Sequence, residues 1–435
     1  MLELLIWITG AFCLGGVLLA LAVYKDVFHP LLYLLGQCAF IYVYMPLRLI
    51  SNGSLFSYVT ETQGTFTQFV ILLCLLALTI GCFVGSERAS RFAVRESKLP
   101  PSRDVLTRGA YWIGLIGLLC WLITIGGRGG LTNAFSSAYG TGWSEYGYIR
   151  EAIYLLIVAL LLLLSPEAFD PQSKIWRWAI AVLSFPWFLQ GLLGARRGPT
   201  IVIVATIGMS WYLARRRRPP IVLMLAAGLV VGFLVIFLVT NRRSIYIGSD
   251  FDVSTKNMDT FFTANEANEY IFAVGCITTS RETGTYYWGR RYLAQILVRP
   301  IPKQIWPNKY VDFGVPELLQ NAGVALDGLE TVMGWAEVPG AAATMVADFW
   351  VEMSWLAIPL CGLIGWGYGY VWRRAVQEQG WWTTFYMILT LLSVYMITQS
   401  GEAVIFRFVI LSVPAYIVWR RARQQVRIPI TVRYA

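Results

Sequence analysis

Two arginine pairs, a late pair of acids and one proline-stiffened basic stretch hold most of the chemical potential of this 435-residue sequence. Arg196 and Arg197 stand in Gly194-Ala-Arg-Arg-Gly-Pro199, between two apolar runs. Gly194, Gly198 and Pro199 make a tight, fixed turn at which the backbone itself can approach a ligand. Guanidinium forks match phosphate oxygens two at a time, so a rigid double arginine suits a pyrophosphate. Arg242 and Arg243 stand at the end of a later apolar run, and Arg407 near the start of the last one. Arginine beside hydrocarbon needs a partner or a route to water, and snorkelling to lipid phosphates is the competing reading for each of these residues.

A second basic element runs from Arg290-Arg291 to Arg299-Pro-Ile-Pro-Lys303-Gln-Ile-Trp306-Pro-Asn-Lys309. Its prolines stiffen it, and Trp306 suits either stacking on a sugar ring or anchoring in a membrane interface. The acids come later in the chain. Asp348 and Glu352 are four apart and share a face if 341 to 354 is helical; Glu337 lies upstream and Glu402 near Arg407. A carboxylate in a partly dry cavity titrates near working pH, as general-base attack on a sugar hydroxyl requires. The alternative is that these acids pair with the nearby arginines and hold the fold.

Several chemistries have no residues to run them. There is one histidine, His29, and no set of His, Cys or carboxylates at metal-ligand spacing. A phosphate-cradling glycine loop, a Ser-His-Asp set and a metal-holding Asp-X-Asp pair are missing as well. The expectation is chemistry by fixed side-chain charge, with no metal and no cofactor.

The elements that must position these residues are membrane helices. The chain is 57% hydrophobic and 14% charged, a balance that predicts an all-α polytopic membrane protein. Apolar runs near 2–23, 31–50, 68–86, 109–127, 148–165, 175–194, 199–214, 220–240, 354–373, 381–399 and 404–419 predict about eleven transmembrane helices. Basic clusters at 88–108, Arg215 to Arg218, Arg373-Arg374 and 420–427 all fall on one face of that arrangement. With that face cytoplasmic, the N-terminus lies outside and the C-terminus inside. The net charge of +10 then reflects orientation rather than nucleic-acid binding. Glu3 in place of a basic n-region predicts that the first run is a retained helix. Six cysteines lie in spans and Cys276 is alone, so no disulfide is expected.

This organisation divides the chain into helices 1 to 8 over 1–240, a large outer loop over 241–340, and helices 9 to 11 with a basic tail over 341–435. Helical spacing at 258–275 and 290–298 predicts short helices in the loop.

The stretch Arg299-Pro-Ile-Pro-Lys303-Gln-Ile-Trp306-Pro-Asn-Lys309 resembles a motif of bacterial Wzy-type O-antigen polymerases. Lys303 replaces a usual arginine and Tyr310 a usual proline. The small-residue segment Gly340-Ala-Ala-Ala-Thr-Met-Val-Ala-Asp348 and the Arg196-Arg197 turn are similar to elements of the same family and of the related O-antigen ligases. The resemblance implies a glycosyltransferase C-like fold in a bacterial inner membrane, with a periplasmic loop. It implies an enzyme that polymerises undecaprenyl pyrophosphate-linked oligosaccharide repeat units, and a chain-length regulator protein and membrane lipids as partners. On that reading Arg196 and Asp348, with Glu337 as second acid, carry catalysis. Arg197, Arg242, Arg243, Arg299, Lys303, Trp306, Lys309, Glu352 and Arg407 bind substrate. A ligase-like transferase and a lipid-linked oligosaccharide transporter are the alternatives. A transporter, however, would place its charges along a mid-membrane cavity.

Overall fold

The computed structural model describes residues 1–87, 101–136, 147–193, 197–215, 217–241, 245–248, 268–302, 304–315, 328–336 and 341–425. Among them there is no strand. The main helices are α1 (Leu2–Tyr24), α2 (Pro30–Ala39), α3 (Met45–Ser51), α4 (Glu61–Ser86), α5 (Arg103–Gly127), α6 (Tyr154–Leu163), α7 (Lys174–Leu192) and α8 (Arg197–Ala214). They continue as α9 (Ile221–Thr240), α10 (Glu269–Thr283), α11 (Arg290–Leu293), α12 (Thr344–Met353), α13 (Ala357–Glu378), α14 (Trp381–Thr398) and α15 (Glu402–Gln425).

Eight helices among the described residues are long and apolar enough to cross a membrane, counting Pro30–Ser51 and Thr344–Glu378 as one each. The chain is an all-α polytopic membrane protein. Three segments expected as spans fall short of that standard. α6 has only 10 residues, α8 is a shorter apolar helix, and α7 contains Lys174, Arg177 and several tryptophans, which dilute its apolar character.

The chain forms two compact units. The first comprises 1–90, 262–373 and 392–406; the second comprises 91–261, 374–391 and 407–435. In the second, α5 packs on α6 and α7 packs on α8. Gly191 of α7 lets the start of α8 approach closely: a methyl there would meet the Thr200 hydroxyl at 2.5 Å.

In the first unit, local chemistry sets the helix starts. Thr60 and Gln63 exchange side-chain and backbone bonds at the head of α4, which satisfies two otherwise orphan N–H groups. His29 precedes Pro30, and its Nδ1 accepts the Leu31 N–H at 3.4 Å. With Nδ1 accepting, Nε2 carries the proton and donates to Ser86 Oγ at 3.1 Å. The imidazole is fully buried, stacked on Tyr24 at 4.4 Å. Burial lowers its pKa to about 3 against the smaller opposing pull of Asp26. His29 is a neutral helix cap.

A π turn, Phe40–Tyr44, joins α2 to α3. It places the Tyr42 hydroxyl to donate to Thr344 Oγ1 at 2.9 Å and to accept the Val346 N–H at 3.3 Å. Gln68 of α4 donates to the Tyr42 carbonyl and to Thr9 of α1, and accepts from Tyr270 of α10. Five elements are therefore pinned by one buried, satisfied network.

α4 and α13 meet through glycine. A methyl on Gly365 would lie 2.0 Å from the Leu78 carbonyl oxygen, and one on Gly369 would lie 2.2 Å from that of Cys82. Gly81 and Gly85 make the reciprocal approach from α4. Small residues at this spacing let two apolar helices touch along their backbones.

In the stretch between 241 and 340, the helix expected over 258–275 appears as α10 over Glu269–Thr283, with 258–267 outside the described residues. α10 is capped by Asn268, whose side chain accepts from Tyr270 and Ile271 N–H groups. Every residue from Glu269 to Ser280 is buried, with α10 packed against α4 and α12. Helical turns also occur at Lys309–Asp312 and Leu329–Met333.

Candidate functional site: a buried arginine among three carboxylates

α12 ends at Met353, and its last carbonyls need partners. The segment after α10 supplies them: Tyr287 N–H donates to the Val351 carbonyl at 3.1 Å and Trp288 N–H to that of Glu352 at 2.7 Å. Gly289, with φ of 81°, then turns the chain into α11 while its N–H donates to Glu352 Oε2 at 2.8 Å. That turn sends Arg291 inward.

Arg291 is 3% exposed and meets three acids. Its Nη2 donates to Asp348 Oδ1 at 2.8 Å and to Glu402 Oε2 at 2.6 Å, and its Nε lies 3.4 Å from Glu352 Oε1. Burial alone would weaken the charge on this guanidinium, but Asp348, Glu402 and Glu352 outweigh it and hold the pKa well above arginine's usual value. Asp348 Oδ2 accepts the Tyr292 hydroxyl at 2.6 Å and the Glu402 N–H at 3.2 Å, and so caps the start of α15. Burial, and then the charge and hydrogen bond of Asp348, hold the Tyr292 phenol well above its usual range. Gly401 permits the approach: a methyl there would lie 2.3 Å from the Phe349 ring.

The cluster has a partly open end. Glu402 is the one acid of the three with exposed side-chain surface, 14% against 0% for Asp348 and Glu352. Its Oε1 accepts from Gln295, whose own carbonyl oxygen accepts from Arg299 Nη1 at 2.7 Å. Gln295 and Arg299 are four residues apart and share a face of the turn Ala294–Val298 that continues α11. The Arg299 guanidinium also lies over the Phe406 ring at 4.4 Å. A carboxylate and a cation are thereby held on the two ends of one glutamine amide.

Of the acids expected from sequence, Asp348 and Glu352 lie one turn apart on α12 and face the same guanidinium. Lys309 is 2% exposed and donates to the carbonyls of Val298, Arg299 and Ile301, which uses all three ammonium donors where the π turn after α11 ends. Trp306 donates its indole N–H to Asp312 at 2.6 Å and packs on Ala294, Val298 and Val315. Arg407 belongs to the second unit, where its Nε donates to Tyr154 Oη at 2.7 Å. Arg197 is the first residue of α8. Arg196, Arg242, Arg243, Lys303 and Glu337 lie outside the described residues.

The sequence does not single out Arg291, Tyr292 and Gln295. The Arg290-Arg291 pair is visible in it, but a four-residue helix is too short for periodicity to tell which of the two points inward. Among the described residues no group of three or more His, Cys, Asp or Glu side chains is arranged to hold a metal ion. The three acids converge on a guanidinium instead. No family model, curated protein or solved structure matches the chain.

Proposed function

We propose that this chain is an inner-membrane glycosyltransferase of about eleven spans and glycosyltransferase C-like fold. It polymerises undecaprenyl pyrophosphate-linked oligosaccharide repeat units on the outer face. The supporting observation is the Glu402–Gln295–Arg299 unit, an acid and a phosphate-matching cation at fixed separation. The motif resemblance and the arginine-bearing helix ends point the same way.

In this reading a hydroxyl of the incoming lipid-linked unit attacks the anomeric carbon of the growing glycan. The new glycosidic C–O bond forms as the C–O bond to pyrophosphate breaks, and the lipid pyrophosphate departs with the electron pair. Arg299 offsets that charge. Glu402 takes the hydroxyl proton, because a base must present an oxygen to the substrate and Asp348 has no exposed surface. Asp348 and Arg291 are positioning residues that fix the Glu402 carboxylate. Lys309 and Trp306 shape the Arg299 segment.

The test is incubation of purified protein with a lipid-linked repeat unit alone. A glycan ladder is expected, and Glu402→Gln should lower kcat by about 100-fold or more, the usual range for a general base. A product that forms only when a second acceptor is added would make the enzyme a ligase instead. Unchanged polymer length in cells carrying Arg196→Ala would remove the catalytic role that the motif resemblance implies for that residue.

A further inference from the structure

An aromatic surface stands beside the acid cluster and has no part in the proposed acid–base chemistry. Trp350, buried on α12, is surrounded by Phe66 of α4 at 5.7 Å and 78°, Trp355 at 5.0 Å and 75°, and Tyr286 at 6.4 Å and 70°. Phe66 and Trp355 also meet each other at 6.1 Å and 87°. Tyr286 leads on to Trp288 at 6.0 Å. Near-perpendicular pairs of this kind brace rings through their edges. The set is held from within by Trp350, yet Trp288 and Trp355 remain 63% and 49% exposed.

Trp288 is mounted rigidly. Its φ is +52°, in the left-handed region that costs a non-glycine residue backbone energy. Its N–H donates to the Glu352 carbonyl at 2.7 Å, and the next N–H donates to the Glu352 carboxylate. The acid that faces Arg291 thus also fixes the backbone that carries the indole. A cationic donor stands in the same aromatic set: Arg281 is exposed, with its guanidinium 4.0 Å from the Phe66 ring centre.

An exposed indole suits a polyhydroxylated ring, whose C–H face stacks on the aromatic while rim hydroxyls take hydrogen bonds. A bilayer belt would use similar residues. Trp350 and Trp355 fall within Thr344–Glu378, long and apolar enough to cross a membrane, whereas Trp288 lies between α10 and α11, outside every such helix. We infer that Trp288, braced through Tyr286 by buried Trp350, forms a carbohydrate subsite that seats a pyranose ring of the glycan beside the Arg291 cluster. The identity of that glycan rests on the proposed function. The subsite takes the ring-stacking role for which Trp306, packed in its own loop with its N–H on Asp312, is poorly placed.

The experiment uses full-length protein in nanodiscs, with the oligosaccharide released by mild acid from the host's lipid-linked pool as probe. Wild type is expected to bind it, Trp288→Ala to weaken Kd about tenfold, and Trp288→Phe to stay near wild type, in line with the usual worth of an aromatic contact. Equal affinity of wild type and Trp288→Ala overturns the subsite, as does failure of wild type to bind. So does quenching, by brominated phospholipid, of the emission lost in Trp288→Phe, since that would put the indole in lipid. Binding without ladder formation would sink the polymerase reading and leave the subsite standing.

Discussion

Removing the guanidinium of Arg291 would leave Asp348, Glu352 and Glu402 facing one another with no cation among them. Breaking a buried ion pair on one side typically costs about 3–5 kcal/mol, because the remaining charges are neither solvated nor paired. Arg291→Ala is therefore expected to lower the melting temperature in detergent sharply. Arg291→Lys should recover little, since a single ammonium cannot reach Asp348 and Glu402, as Nη2 does, and also face Glu352, as Nε does at 3.4 Å. Neutralising the partners as well, in Arg291→Met with Asp348→Asn and Glu402→Gln, should restore part of the stability without activity. If Arg291→Ala melts like wild type, the cluster does not hold the fold. His29 gives a residue-scale prediction of opposite character. In the unfolded chain its imidazole takes a proton near pH 6.5, but in the fold only near pH 3. Between those values the unfolded state binds more protons, so stability is fully present above pH 6.5 and falls as pH drops, by up to about 1.4 kcal/mol per pH unit. Melting curves from pH 7.5 to 4.5 should show a steeper fall for wild type than for His29→Gln; parallel curves would count against a neutral buried cap.

At the scale of elements, the glycine contact between α4 and α13 makes the sharpest demand. The obstacle to a side chain at Gly365 is backbone, the Leu78 carbonyl oxygen, and backbone in a packed helix cannot rotate away. Gly365→Leu must separate the helices and should cost at least the 1–3 kcal/mol typical of overpacking, roughly. A methyl added at Gly367, two residues on, would meet nothing within 4 Å, so Gly367→Leu is the matched control and should melt near wild type. Equal losses in both would mean that the two helices do not pack through this face. Much of this layer was legible in the sequence. The helix around Asp348 and Glu352 and the helical stretch ending at Pro300 both follow from spacing. A π turn was not legible, because one extra residue in a turn leaves no compositional mark, yet it aims Tyr42 at α12. Nor was the burial of α10: Thr278, Thr279 and Ser280 are polar in sequence, and only packing against α4 and α12 takes them out of solvent.

For the whole molecule, polymerisation on the outer face depends on which side of the membrane carries the Arg291 cluster. The basic clusters predict that side, because lysine and arginine in short loops are retained in the cytoplasm. Eight helices meet the length and composition of a span, and α6, α7 and α8 are the elements on which the count of eleven turns. All three lie between the basic segment ahead of α5 and the basic tail. If all three cross, Asp104 and Arg421 share a side; if only two cross, they lie on opposite sides. This parity can be read by labelling, since all seven native cysteines are buried or partly buried and give little background. A cysteine at Ile305, which is 76% exposed, should react with a membrane-impermeant maleimide in intact spheroplasts. Cysteines at Asp104 and Arg421, both exposed, should react only after the membrane is opened. Labelling of Arg421→Cys in intact spheroplasts together with protection of Ile305→Cys would invert the orientation. The acid cluster would then belong to the face where sugar nucleotides are made, and polymerisation on the outer face would be lost as a reading even if every contact of Arg291 stood. Labelling of Asp104→Cys from outside, with Arg421→Cys still protected, would remove one span from the count and leave the outer-face site where it is. It would point to α6 as the helix that does not cross, because its 10 residues cover about half of a 30 Å hydrocarbon core.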